Sequence, residues 1–171
     1  MQNYFELFDL KASFFVDDAA LKKAYQAQVS RFHPDNFATK SQAEQLHALQ
    51  NTSLVNSAYI ALKTPLNRAS YLLNLEDVNP FDEKDTNMDT NFLVSQIELR
   101  EQLESIKEQQ DNLALDNFIE RVQDFIRDNV ASISEAFTQS PDLQKIKTLV
   151  RELKFYDQLN KEANMLMDEW L

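Results

Sequence analysis

Residues 17–49 read DDAALKKAYQAQVSRFHPDNFATKSQAEQLHAL, and this stretch decides the fold. Asp17 and Asp18 open it with side chains that accept from free helix-start amides. Leu21, Tyr25 (with Ala24), Val29 and Phe32 follow at spacings of four, four and three, one apolar stripe of a helix. Lys22, Lys23 and Arg31 decorate its outside. Pro34 ends it, because the residue before a proline is pushed out of the helical region, so the break falls at His33. Ser41-Gln42-Ala43-Glu44 is a capping box that opens the next helix. The stretch therefore predicts two helices, joined tip to tip by a short polar loop holding His33-Pro34-Asp35.

The helical reading extends outward in both directions. Asn3 is placed to cap a short helix carrying Tyr4, Phe5, Leu7 and Phe8. The helix that starts at Ser41 carries Leu46, Leu49, Val55, Tyr59 and Leu62 and ends before Pro65, with a short helix from Leu66 to Leu73 behind it. Residues 75–88 hold Pro80, several Asp and Asn and no stripe, and read as a linker. Beyond them three long helices are expected: one from Asp89 or Thr90 to about Gln109, one from Asn112 to Phe137, and one capped by Ser140, with Pro141 at its first position, running to Trp170. Short connections make neighbours antiparallel, so 89–171 reads as a three-helix bundle and the chain as all-α.

Composition limits the chemistry. The 171 residues include no glycine and no cysteine. Average usage near 7% predicts roughly a dozen glycines. Their absence removes glycine-rich phosphate loops and the nucleophile elbow. Without cysteine there is no thiol catalysis, no disulfide and no cysteine-ligated metal centre. Only His33 and His47 supply imidazole. Asp17 and Asp18 read as helix-start residues and His47 as a solvated or boundary histidine. Glu101 and Glu104 are too few oxygens for a hard metal, so neither a metal nor a cofactor is expected, and no catalytic residue. No apolar run reaches membrane length and the first residues lack a secretion signal, so the chain reads as cytoplasmic.

The charge of −11 is unevenly spread. Residues 1–75 carry seven Lys/Arg and six Asp/Glu, whereas 76–171 carry ten and twenty-two. An acidic second half argues against nucleic acid or an anionic membrane as partner, and the asymmetry suggests two modules with different partners.

The helix from Asp89 has two apolar sides. With Phe92 at zero and about 100° per residue, Phe92, Leu99, Leu103 and Ile106 cluster within about 60° and form the stripe a bundle buries. Leu93, Val94 and Ile97 fall on another side, which continues into Glu101, Glu104 and Glu108 with Glu98 at its margin. An apolar patch with a charged rim is the usual look of a partner surface. On periodicity alone, packing on the third helix or the N-terminal module accounts for it equally well. Phe155 sits off the side defined by Ile146, Leu149, Val150, Leu153 and Tyr156, and is a candidate surface aromatic.

Tyr4, Leu7, Leu21, Ala24, Tyr25, Phe32, His33, Pro34, Asp35, Phe37, Asn56, Ala58, Tyr59, Leu62 and Pro65 together resemble a J-domain, the module that stimulates ATP hydrolysis by DnaK-type chaperones. Arg68-Ala69-Ser70-Tyr71-Leu72-Leu73, and Asp89-Thr90-Asn91-Phe92-Leu93 with Glu98-Leu99-Arg100-Glu101, resemble the HscB family, the J-domain co-chaperones of iron–sulfur cluster assembly. The resemblance covers essentially the whole chain. It implies a J-domain at 1–74, a linker at 75–88 and a client-binding domain at 89–171, in a co-chaperone that is not itself an enzyme. The implied partners are an HscA/DnaK-type chaperone ATPase and an IscU-type iron–sulfur scaffold protein. His33, Pro34, Asp35, Lys22, Lys23 and Arg31 would meet the ATPase. Leu93, Val94, Ile97, Glu98, Glu101 and Phe155 would meet the scaffold, Val94 and Ile97 being conservative relatives of the usual residues. The chain departs from the common J-domain pattern at Gln26 and Ala27, where basic residues are frequent, and at Asn36, where lysine usually follows the motif. A J-domain protein with another client, or a helical interaction protein without a chaperone link, are the alternatives.

Overall fold

A computed structural model describes residues 3–138 and 140–171. Among them lie seven α-helices and one 3-10 turn: α1 Tyr4–Leu7, α2 Asp18–Arg31, the turn Pro34–Phe37, α3 Gln42–Lys63, α4 Pro65–Leu75, α5 Thr90–Gln109, α6 Asn112–Thr138 and α7 Leu143–Trp170. The chain divides into two units, Met1–Glu76 and Asp77–Leu171.

Side chains set the helix starts. Asn3 accepts from the Glu6 amide, Asp17 from Ala19 and Ala20, and Thr64 from Asn67. The capping box at Ser41 is complete: Ser41 Oγ accepts from the Glu44 amide at 3.2 Å, and the Glu44 carboxylate accepts from the Ser41 amide at 3.0 Å. The Ser41 amide and, after it, the Ser41 hydroxyl, which also donates to this carboxylate at 3.0 Å, hold the Glu44 carboxyl below its ordinary range. The last helix corrects the expectation. Its cap is Asp142, which accepts from the Gln144 and Lys145 amides. Ser140 and Pro141 lie outside it. A carboxylate beside the positive helix end outcompetes a hydroxyl two residues earlier.

In the first unit α2 and α3 are antiparallel: Tyr25 bonds Asn56 at 2.7 Å and stacks on Tyr59, while Thr52 bonds the Phe32 carbonyl nearer the tip. Their core joins Phe5, Phe8, Leu21, Val55, Ala58 and Leu62. Arg68 is buried and ties this unit together. Its Nε donates to the Phe14 carbonyl at 2.7 Å and its Nη1 to the Leu62 carbonyl at 2.9 Å. Burial pulls its guanidinium below the ordinary range, with Asp18 partly opposing this.

In the second unit α5 runs parallel to α7, since Phe92 meets Tyr156 and Arg100 pairs with Glu162. Gln102 of α5 meets Arg121 of α6. Leu99, Leu103, Leu115, Phe118, Val122, Leu159 and Ala163 share one core. The stretch from 77 to 89 is strapped to α7: Pro80 is buried, Lys154 lies 4.2 Å over the Phe81 ring, and Asp85 pairs with Lys147 and with Arg151. The Lys147 bond, the Asn87 amide and Arg151 hold the Asp85 carboxyl below its ordinary range. Glu152 behaves oppositely. Burial, then Asp89, push its carboxyl up, and burial with Glu152 does the same to the Tyr156 hydroxyl. Asn129 is buried in α6 with no partner for its Oδ1 among the described residues.

Candidate functional site

Two exposed surfaces, one in each unit, hold the candidate residues. The first is the tip of the α2–α3 hairpin. His33 caps the 3-10 turn: its Nδ1 accepts from the Asp35 amide at 3.2 Å. The Asn36 amide donates to the His33 carbonyl at 3.0 Å. The Asn36 side chain donates to the Ser30 carbonyl at 2.8 Å, fastening the turn to the end of α2. With the ring φ of Pro34 fixed as well, the corner is rigid. It is also open, the side chains of His33 and Asp35 being 54% and 90% exposed. A neutral imidazole that accepts at Nδ1 carries its proton on Nε2, so the ring offers a donor outward. Asp35 offers acceptors beside it.

Lys22, Lys23 and Arg31 are exposed, but they are not brought together. At about 100° per residue Lys23 and Arg31 lie roughly 100° and 180° around the helix from Lys22. Lys23 therefore points straight out and the other two flank it. His47 is exposed on α3 beside Asn51; Asp17 and Asp18 serve the start of α2.

Leu46 and Leu49, two of the apolar residues that α3 carries, lie off its buried stripe. They are 56% and 64% exposed. Their phase gives the reason: they fall about 180° and 120° from Val55, whereas buried Ala48 lies about 20° from it. They border instead a groove against Phe32, Pro34 and Phe37. Sequence reasoning missed this feature, although the angular phase carried it.

The second surface is on α5. Phe92, Leu99 and Leu103 are buried as the stripe requires. Leu93, Val94 and Ile97 are 42%, 49% and 59% exposed, so within the second unit this side is not packed on α7. Glu98, Glu101, Glu104 and Glu108 are exposed around and below them. Phe155 is half-buried, not a free surface ring: it meets Phe92 edge-on at 5.8 Å, and the Arg100 guanidinium lies 5.5 Å above it. Arg100 pairs with Glu162 as well, bracing α5 against α7 beside the patch. Among the described residues no group of three or more His, Asp or Glu is placed to hold a metal ion. No helix among them is long and apolar enough to cross a membrane.

The profile of a family described as the HSCB C-terminal oligomerisation domain matches residues 88–164. Chaperone HscB from Vibrio cholerae is 38% identical, with a TM-score of 0.88, over 99% of this chain and 100% of that one. Human co-chaperone HscB is 30% identical, with a TM-score of 0.89, over 96% of this chain and 82% of that one. The Jac1 co-chaperone of Saccharomyces cerevisiae shares the fold at 21% identity, with a TM-score of 0.73, over 95% of this chain and 97% of that one. A J-domain followed by a C-terminal helical bundle is the class of protein these comparisons define. The chain belongs to the HscB family.

Proposed function

We propose that this chain stimulates the ATPase of a dedicated HscA/DnaK-type chaperone and delivers an IscU-type scaffold protein to it during iron–sulfur cluster assembly or transfer. The observation that carries this reading is the exposed, internally bonded corner at His33, Pro34 and Asp35. No enclosing pocket with room for a substrate is needed. A corner of this kind acts by binding one state of its partner more tightly than another. Contacts made only in the hydrolysis-competent state of the ATPase shift it toward that state. Lys22, Lys23 and Arg31 add attraction toward an acidic surface and speed encounter.

On α5, Leu93, Val94 and Ile97 supply apolar area for the scaffold, with Glu98 and Glu101 as a charged rim and Phe155 braced behind them. Holding scaffold and ATPase on one chain raises the effective concentration of the first at the second. The division of labour is a J-domain at 1–74 and a client-binding domain at 89–171. In this reading the chain works in the cytoplasm and turns over no substrate itself.

His33→Gln tests the corner. The residue is exposed, so melting temperature should hold within a degree or two, while stimulation of the cognate ATPase disappears. Full stimulation by that variant rejects the reading.

A further inference from the structure

Asp85 uses its two carboxylate oxygens for two different tasks. Its Oδ2 pairs with Lys147 and, at 3.5 Å, with Arg151, both on α7. Its Oδ1 accepts from the Asn87 amide at 3.1 Å and turns the chain toward α5. One residue further, the Met88 thioether accepts from the Gln96 side chain at 3.6 Å, and Asp89 caps α5 by accepting from the Asn91 amide. Gln96 is the chain neighbour of Ile97 in the exposed patch. An unbroken run of contacts therefore leads from α7 through Asp85 to the second turn of α5.

The fastening is firm. Lys147, Arg151 and Lys154 recur at spacings of four and three and so share one face of α7. Lys154 holds Phe81 at the far end of the strap. Lys147 and Arg151 are largely buried, so solvent screens their pairing with Asp85 less than an ion pair in open water. Phe92 anchors the inner side of the first turn of α5, and the strap holds the same turn from its N-terminal end. Arg100 braces the helix further along, through Glu162. An apolar patch held still before its partner arrives loses less conformational freedom on binding.

We infer that Asp85 is a positioning residue for scaffold binding. By holding the strap on α7 it fixes the first two turns of α5 in the pose that Leu93, Val94 and Ile97 need, and it touches no partner itself. The inference rests on the proposed role of the α5 face. A strap that only stabilised the unit would change how much of the chain is folded and leave the affinity of the folded chain alone.

The test is titration calorimetry of the full chain with the scaffold protein, below the melting transition of every variant. Asp85→Asn keeps an acceptor for the Asn87 amide and removes the charge that Lys147 and Arg151 hold. It should raise the dissociation constant about fivefold, the binding-competent pose of α5 being less populated. Ala163→Gly lowers stability from the core of the same unit, away from the strap, and should leave the constant in place. An unmoved constant for Asp85→Asn, or an equal rise for Ala163→Gly, overturns the positioning role. If the unmoved constant stands beside weakened binding by the Leu93→Ala, Val94→Ala, Ile97→Ala variant, the α5 face keeps its role. Full binding by that triple variant removes the role of the face and the inference with it.

A second measurement restores the strap by other means. The chain has no cysteine, so Asp85→Cys with Lys147→Cys can be joined by a short bis-maleimide or blocked separately with N-ethylmaleimide. The joined form should bind as the unaltered chain does, and the blocked form about fivefold more weakly. Equal affinities of the two forms overturn the inference.

Discussion

The corner at 33–36 and the α5 face at 93–104 are both open to solvent, yet they are built on opposite principles. The corner is a shape. Three local hydrogen bonds and one proline ring hold it, and it presents one donor beside acceptors. The α5 face is an area. Leu93, Val94 and Ile97 are placed by a helix that would stand there whatever they were, because Phe92, Leu99 and Leu103 anchor its other side. Recognition by shape concentrates energy in single groups, while recognition by apolar area spreads it over several. Losses at His33, Pro34 and Asp35 should therefore be all-or-none, losses at the tie that Asn36 supplies partial, and losses on α5 graded.

The largest effect that bears on this contrast is on α5. Changing Leu93, Val94 and Ile97 to alanine together should weaken scaffold binding about 100-fold, near 3 kcal/mol, with melting temperature almost unmoved. Titration calorimetry on the single variants should give smaller steps that roughly sum to the triple. A single step that loses everything would erase the distinction. At the corner, Asn36→Ala removes the bond to Ser30 and keeps all three motif residues. Stimulation should fall several-fold, about 1 kcal/mol, read from turnover; an unchanged rate would show that the turn stays rigid without that tie.

Smaller effects sharpen the comparison by showing that the unit carrying the α5 face has its own support. Glu152 titrates higher folded than unfolded, so the folded state holds more protons in the interval between, and its contribution falls as pH rises from the ordinary carboxylate range through the raised one. Asp85 titrates lower folded than unfolded, so its contribution is present above the ordinary carboxylate range and is lost as pH falls through the lowered value. Chemical denaturation followed through Trp170 across the acid range should show Glu152→Gln flattening the first slope and Asp85→Asn the second. An unchanged slope for either variant rejects that assignment. The smallest expected change is at Gln110, which closes α5 in the left-handed region with φ 52°. Gln110→Gly should stabilise the second unit by about 0.5 kcal/mol, relief of the side-chain clash outweighing the added freedom of the unfolded chain. A lower midpoint in denaturant would show the opposite balance.

Most of the helical plan was legible because this chain ends its helices with side-chain signals. Ser41 with Glu44, Asp17, Thr64 before Pro65, and Asp89 each name a boundary within the local sequence. The same rules misjudged α7, where Ser140 and Asp142 compete two residues apart and the carboxylate wins. The open side of α5 could be drawn from angular phase, but phase could not tell a free face from a covered one. Leu46 and Leu49 show that apolar content alone does not place a side chain: their phase sets them off the buried stripe of α3. What no local rule reveals is long-range pairing. Asp85 finds Lys147 across 62 residues, and Arg68 finds the Phe14 carbonyl across 54. These pairs turn an apparent linker into a strap and a surface-type residue into an internal brace.

The hydrogen bond from the Asp35 amide to His33 Nδ1 gives the corner a direction. When that nitrogen accepts from within, the neutral imidazole carries its proton on the other: it donates on one side, and the carboxylate next to it only receives. A docking site must carry the reverse order, an oxygen followed by a cation or an amide, and one with the order exchanged would meet repulsion at both points. Three residues thus encode an orientation as well as a place.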